Sequence, residues 1–105
     1  MINQAVIVKD DFIVRQEMEF IYEGQLTVKC DAILKAFLAS RQSDIEGGVL
    51  YVIGCPGLVA VSLVIAAKLV KVVYSREPEN SDEMCAIELL KERGIETVHN
   101  PSIIL

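Results

Sequence analysis

The stretch LYVIGCPGLVA, residues 50–60, decides the fold of this chain. Its first four residues favour a strand, and the apolar run that begins after the second glycine favours a helix. The Gly-Cys-Pro-Gly segment between them fits neither element, because proline lacks the amide hydrogen and glycine weakens both structures. A cysteine beside a proline at such a strand-to-helix junction raises the question of a metal site or a nucleophile.

The same region first has to be weighed as a membrane span. Residues 49–67 contain no charged side chain, and their length approaches that of a transmembrane helix. The glycines and the proline nevertheless split this run into a short strand-like piece and a helix-like piece, each too short to cross a bilayer. The pattern therefore predicts a buried strand followed by a buried helix, and no membrane association.

Composition limits the class of protein further. A chain of 105 residues with 52% hydrophobic residues predicts a single domain, residues 1–105, with a substantial core. The net charge is −5 and the basic residues are scattered, so we expect no nucleic-acid partner. Three cysteines do not make a secreted disulfide framework, and no signal-peptide pattern is present, so we expect a cytoplasmic location.

Working outward from residues 50–60, the pattern predicts a hairpin followed by repeated strand-helix-strand units. The predicted strands are residues 5–8, 12–18, 49–53, 70–74 and 95–99, and the predicted helices are residues 27–41, 56–69 and 81–93. Helix 56–69 is expected to be the most buried because it carries almost no polar side chain. Right-handed crossovers make the later strands parallel, which predicts a mixed sheet with helices on both faces.

Five short sequence words support a more specific interpretation. They are AVIVKDDFIVRQ at residues 5–16, AILKAF at 32–37, LYV followed two residues later by Cys-Pro, AAKLVKVVY at 66–74 and IELLKERGIETV at 87–98. In order and spacing they resemble the cytidine deaminase-like fold, most closely its deoxycytidylate and tRNA-adenosine deaminase branch. The resemblance implies a three-layer α/β/α domain with a five-stranded mixed sheet in the order 2-1-3-4-5, here without the family's leading helix.

The resemblance also implies where a zinc site would lie. The family uses a His-x-Glu pair at the start of one helix and a Pro-Cys-x-x-Cys motif at the start of the next. Aligned without a gap, the His and Glu positions hold Thr27 and Lys29, and the two Cys positions hold Gly57 and Ala60. We therefore expect no catalytic residue, no bound metal and no cofactor, although Pro56 is retained.

The cysteines and the single histidine leave other possibilities open. A shifted metal site could draw its ligands only from the cysteines and the histidine, namely Cys30, Cys55, Cys85 and His99. A redox pair of Cys30 with Cys55 is a second alternative. Cysteines acting as small buried hydrophobes are favoured over both, because two sulfur atoms do not complete a tetrahedral zinc site. For His99 a surface or capping role is favoured over catalysis.

Lys29 is the most unusual replacement. As a solvated lysine it would extend from the first helical turn into water, which is the favoured interpretation. Alternatively it forms a vestigial ligand-binding pocket with Cys30, Cys55 and Pro56 and binds an anion, aided by the amide groups of two helix starts.

These observations leave three hypotheses for function. The first is a catalytically inactive deaminase-like protein that acts as a binding or structural subunit. The second is an enzyme with altered, zinc-independent chemistry, and the third is a nucleotide- or small-anion-binding module. The uncharged helix suits a subunit interface, so we expect a homo-oligomer, a dimer or larger, or a complex with an active deaminase paralogue.

Overall fold

The computed structural model describes residues 4–9, 12–18 and 45–103 of the chain. Within these residues it has five strands and two helices. The strands are β1 (Gln4–Lys9), β2 (Phe12–Met18), β3 (Val49–Val52), β4 (Lys71–Tyr74) and β5 (Glu96–His99), and the helices are α1 (Leu58–Ala66) and α2 (Ser81–Glu92). The predicted helix at residues 27–41 lies outside the described part of the chain.

The strands form one sheet in the spatial order β2-β1-β3-β4-β5. Strand β1 is antiparallel to both β2 and β3, whereas β3, β4 and β5 run parallel to one another. The prediction of a mixed α/β sheet with helices is therefore confirmed. The two crossovers move the chain in the same direction along the sheet, so α1 and α2 lie on one face and pack against each other.

The core lies between this face of the sheet and the two helices. Alternate residues of the strands point toward the helices, as the two-residue period of a strand requires. The sheet contributes Ala5, Ile7, Leu50, Val52, Val72 and Tyr74, and the helices contribute Ala60, Val61, Val64, Ala86, Ile87 and Leu90. On the opposite face Val6 and Val73 are also buried, so apolar side chains are withdrawn from water on both sides of the central strands.

Helix α1 is shorter than the predicted 56–69. It begins at Leu58 because Gly57, the N-cap that follows the buried Pro56, has an extended backbone conformation. It ends at Ala66 because Lys68 adopts a left-handed conformation with φ 59°. The backbone N–H of Lys68 then donates to the Ile65 carbonyl at 3.1 Å. This geometry is typical of a Schellman C-cap.

Helix α1 is buried on one side only. Because the predicted helix at residues 27–41 lies outside the described residues, the expectation that helix 56–69 is the most buried of the three stays a prediction. Ala60, Val61 and Val64 are buried in α1, but Leu58 is 36% exposed and Val59 is 72% exposed. Only one side of α1 faces the sheet and α2, so its uniformly apolar composition leaves apolar side chains in water. None of the helices in the described ranges combines the length and apolar character needed to cross a membrane.

Helix α2 begins at Ser81, but Asn80, not Ser81, is its N-cap. The Asn80 side chain accepts a hydrogen bond from the backbone N–H of Glu83 at 2.9 Å. At the other end Gly94 adopts φ 72°, and its N–H donates to the Lys91 carbonyl at 3.1 Å. Gly94 therefore follows the C-cap residue Arg93, and α2 ends within one residue of the predicted limit at 93.

Candidate functional site

The β3–α1 junction, residues 54–58, lies at the carboxyl end of β3. Gly54 has φ 124°, a backbone conformation that only glycine adopts easily, and the chain can turn there from the strand toward the helix. Pro56 is fully buried beneath the turn. The carboxyl edge of a parallel sheet is where α/β proteins usually bind ligands, so this junction is the natural candidate site.

The junction presents no side-chain ligand at the two positions that the resemblance assigns to zinc-binding cysteines. Gly57 has no side chain, and as N-cap it makes no side-chain hydrogen bond. Ala60 is only 5% exposed and belongs to the core. Neither residue supplies the thiolate that a zinc site of this type requires.

A carboxylate from α2 approaches this helix start instead. The backbone N–H of Leu58 donates to Oδ2 of Asp82 at 3.3 Å. A Cβ atom added to Gly57 would lie 2.6 Å from the same oxygen, so the carboxylate uses space that is open only because residue 57 is glycine. A negative group at this end of α1 also complements the helix dipole, since the first turn of α1 carries no acidic residue.

Cys55 lies between Gly54 and Pro56 and is half-buried against the core. Burial, together with the nearby Glu83 carboxylate and despite the opposing charge of Arg76, raises the pKa of the Cys55 thiol to about 11. The thiolate is the form of cysteine that attacks electrophiles and binds metals. Cys55 is therefore held as a neutral thiol, which fits the interpretation of a small buried hydrophobe.

An ion pair between Arg76 and Glu83 stands next to this thiol. Nη2 and Nη1 of Arg76 donate to the two carboxylate oxygens of Glu83 at 2.6 and 3.1 Å. Glu83 is only 8% exposed and also accepts the backbone N–H of Glu79 at 3.0 Å. The hydrogen bonds from Arg76 lower the pKa of the Glu83 carboxyl against the opposing effect of burial, and those same bonds raise the pKa of Arg76.

The ion pair between Arg76 and Glu83 was not predicted from the sequence, in which Glu83 is one of several acids in the segment from residue 77 to residue 83. The signal was the spacing Asn80-x-x-Glu83, which is typical of a capping box in which the third helical residue turns back toward the preceding loop. The arginine seven residues before Glu83 lies on that loop. Its pairing depends on the loop's path, which the spacing alone does not determine.

His99 has an acid partner that was not assigned from the sequence. Its Nδ1 lies 2.9 Å from Oε1 of Glu77, and its Nε2 lies 3.3 Å from the Ser75 carbonyl oxygen. The imidazole stacks on Tyr74 with ring centroids 5.3 Å apart. Burial, and then the Glu77 carboxylate, raise the pKa of Tyr74. These contacts fasten the end of β5 to the loop after β4, in keeping with a capping role.

The structure thus groups some of the predicted site residues and leaves others apart. Cys55, Pro56, Gly57 and Ala60 meet at the β3–α1 junction, whereas Cys85 is exposed on α2. Thr27, Lys29 and Cys30 lie outside the described residues, so the pocket built on Lys29 stays a prediction. Within residues 4–9, 12–18 and 45–103, no group of three or more His, Cys, Asp or Glu side chains is arranged to hold a metal ion.

Comparison with solved structures finds the same fold in proteins described as deaminases. No protein-family model matches the sequence, and no curated protein matches it. Among solved structures, Acinetobacter baumannii RibD superimposes with a TM-score of 0.75 at 23% identity, over 92% of this chain and 28% of that one. The dCMP deaminase of cyanophage S-TIM5 in its apo form gives 0.71 at 21% identity, over 93% of this chain and 79% of that one.

A third structure agrees with these two. It is the Thermotoga maritima diaminohydroxyphosphoribosylaminopyrimidine deaminase/5-amino-6-(5-phosphoribosylamino)uracil reductase, with a TM-score of 0.72 at 23% identity, over 92% of this chain and 29% of that one. This chain therefore spans less than a third of the two longer proteins. Identities this low establish shared architecture and not shared chemistry. The chain therefore shares its fold with the RibD and dCMP deaminase structures.

Proposed function

We propose that this chain is a catalytically inactive deaminase-fold protein that acts as a binding or structural subunit. One observation carries the proposal. The first turn of α1, where the resemblance places two zinc-binding thiolates, holds Gly57 and Ala60 and receives the Asp82 carboxylate from α2. Asp82 supplies the negative charge at this helix start as part of a packing contact between two helices.

The chemistry of the remaining residues supports this proposal. A zinc site needs at least three protein ligands, usually imidazole or thiolate groups. In the family alignment Thr27 and Lys29 replace the imidazole and the proton-carrying carboxylate, and a lysine ammonium would repel a divalent cation. Without the metal there is no activated water to attack the ring carbon of a nucleobase.

The alternative of zinc-independent chemistry finds less support. It would use Lys29, Cys30 and Cys55, of which only Cys55 lies in the described residues. The Cys55 thiol, with a pKa of about 11, is almost wholly protonated near neutral pH and is therefore a poor nucleophile or redox group. The anion-binding alternative depends on Lys29 and Cys30, which lie outside the described residues. It stays a second prediction that can be tested with the same purified protein.

We further propose that the subunit works in a homo-oligomer or beside an active deaminase paralogue, in the cytoplasm. Support comes from large apolar side chains in water on both helices and the turn after α1. They are Leu58, Val59, Val70 and Met84. Leu58 and Val59 stand at the start of α1, so a partner on this side would lie close to the β3–α1 junction.

Metal analysis combined with a deamination screen tests the proposal. We expect purified protein to contain no stoichiometric zinc, and to leave cytidine, deoxycytidylate and adenosine substrates unchanged, while a deaminase of the same fold converts its own substrate. Stoichiometric zinc or turnover in the unmodified chain would overturn the proposal.

Restoring the family's zinc ligands by substitution gives a test with a positive expected result, zinc binding. The variant Thr27→His, Lys29→Glu, Gly57→Cys and Ala60→Cys should bind about one zinc ion per chain, because it regains three ligands on one scaffold. The matched control keeps Thr27→His and Lys29→Glu but carries serine, not cysteine, at residues 57 and 60. It should bind no zinc. A folded variant that ignores zinc would show that the alignment of these four positions is wrong.

A further inference from the structure

Residues 75–80 connect β4 to α2, and together with the first two residues of α2 they form a segment, residues 75–82, here called the strap, that contacts the β3–α1 junction. On one side of the junction the backbone N–H of Gly54 donates to the Ser75 hydroxyl at 2.8 Å. The Gly54 carbonyl accepts the N–H groups of Ser75 and Arg76 at 3.1 and 3.2 Å. On the other side Asp82 accepts the N–H of Leu58. The strap therefore binds polar backbone groups on both flanks of Cys55.

The strap is also fastened from outside the junction. Arg76 pairs with Glu83 at 2.6 Å, which holds the strap to the first turn of α2, and with Glu79 at 3.3 Å, which is a contact within the strap. Glu77 pairs with His99 at 2.9 Å, which holds it to the end of β5. These contacts keep the strap ordered, so that it meets the junction as one unit.

We propose that the strap is a latch that closes the β3–α1 junction, and that its opening exposes the Gly54 backbone, the Leu58 N–H and the Cys55 thiol together. Any ligand or partner that uses the junction must displace the strap first. The contacts between the strap and the junction exist whether or not the protein deaminates a substrate. The latch is therefore independent of the function proposed above.

Gly57 is the feature that lets the latch close. A Cβ atom at this residue would lie 2.6 Å from Asp82 Oδ2, closer than real carbon–oxygen contacts allow. The side chain of Asp82 is exposed and can rotate away, so Gly57→Ala should release the Asp82 contact without disturbing the core. The latch can thus be weakened from either side of the contact.

Cys55 can report the state of the latch, because its half-buried thiol lies between the two backbone sites that the strap binds, Gly54 and Leu58, whereas Cys85 is already exposed on α2. The full-length protein is treated with iodoacetamide at pH 8, and the labelling rate of each cysteine is measured separately by peptide mass spectrometry. We expect Ser75→Ala/Asp82→Ala to label at Cys55 about tenfold faster than the unmodified protein, because two hydrogen bonds that oppose local opening are lost. Gly57→Ala should give a smaller rise, and Cys85 should not change.

Two controls separate latch opening from other effects. Glu88→Ala removes an exposed acid of α2 outside the strap and should leave Cys55 labelling unchanged. Ile7→Ala destabilises the buried side of β1, and should not reproduce the acceleration if labelling proceeds through local opening. Equal Cys55 rates in the strap variant and the unmodified protein would overturn the proposal, and so would an equal acceleration in Ile7→Ala.

Discussion

Replacing Lys68 with glycine should stabilise the protein. Lys68 is the residue in left-handed conformation that ends α1, with φ 59°, and its Cβ crowds the backbone there in a way that glycine avoids. The backbone hydrogen bonds of this C-cap, from Lys68 to the Ile65 carbonyl and from Leu69 to the Val64 carbonyl, do not involve the side chain and should survive the change.

The magnitude follows from three contributions. Relief of the left-handed strain favours the variant by roughly 1–2 kcal/mol. The greater freedom of glycine in the unfolded chain opposes it by roughly 0.4–1 kcal/mol. The ion pair between Lys68 and Glu46, 3.6 Å long with side chains that are 67% and 49% exposed, contributes little because water screens it. The expected net gain is about 0.5–1 kcal/mol.

Urea denaturation at a fixed protein concentration measures this difference, and an unchanged m value would show that the two proteins expose the same surface on unfolding. Lys68→Ala is the matched control, because it removes the ammonium group and keeps the Cβ atom. We expect Lys68→Ala to be close to neutral, so that any gain in Lys68→Gly reports the backbone.

The reverse substitution, glycine to alanine, can be made at Gly94, which ends α2. It occupies the same cap position with φ 72°, and an added Cβ would meet nothing within 4 Å. Gly94→Ala should therefore cost about 1 kcal/mol through backbone strain alone. A neutral or destabilising Lys68→Gly, alongside a costly Gly94→Ala, would refute the claim that Lys68 is strained.

Three further predictions concern the junction, its ion pair and the exposed side of α1. Glu83→Gln should cost roughly 1–2 kcal/mol in a denaturation experiment, because Arg76 loses its charged partner. Since the folded-state pKa of Glu83 is lowered, its contribution is present at neutral pH and is lost as pH falls through the acid range, so the gap between Glu83→Gln and the unmodified protein should narrow on acidification. Gly54→Ala should destabilise by about 1 kcal/mol or more, measured by its thermal midpoint, because Gly54 has φ 124°. Val59→Lys should reduce the mass measured by light scattering to one chain, whereas Glu88→Lys should not; an unmodified protein that is already monomeric would contradict the proposed homo-oligomer.

Hydrophobic periodicity was enough to predict the mixed sheet and the two helices of the described residues, because those patterns are local. Strand β2 occupies the predicted residues 12–18. The limits of α1 could not be predicted in the same way. Pro56 suits a first helical position in isolation, but the extended conformation of Gly57 delays the helix to Leu58, and nothing in a lysine signals the left-handed cap at residue 68.

The features of the candidate site could likewise be predicted from the sequence only in part. The absence of thiol groups at Gly57 and Ala60 could be inferred from the sequence once the deaminase resemblance was stated. The approach of Asp82 to Gly57 and Leu58 joins residues more than twenty positions apart, and no spacing rule predicts it. The same holds for His99 and Glu77, which face each other only because β4 and β5 are neighbours in the sheet.

Asp82 and Glu83 show most clearly why the sequence could not assign roles within the strap and first turn. Both are acids in the first turn of α2, and both fit the general preference for negative charge at a helix start. Consecutive helical residues point about 100° apart, so the two carboxylates face different surroundings. Asp82 points to the start of α1, while Glu83 turns back to the loop and meets Arg76. Charge pattern alone makes the two equivalent, and only the packing of α1, α2 and the strap makes one a contact between helices and the other an ion pair.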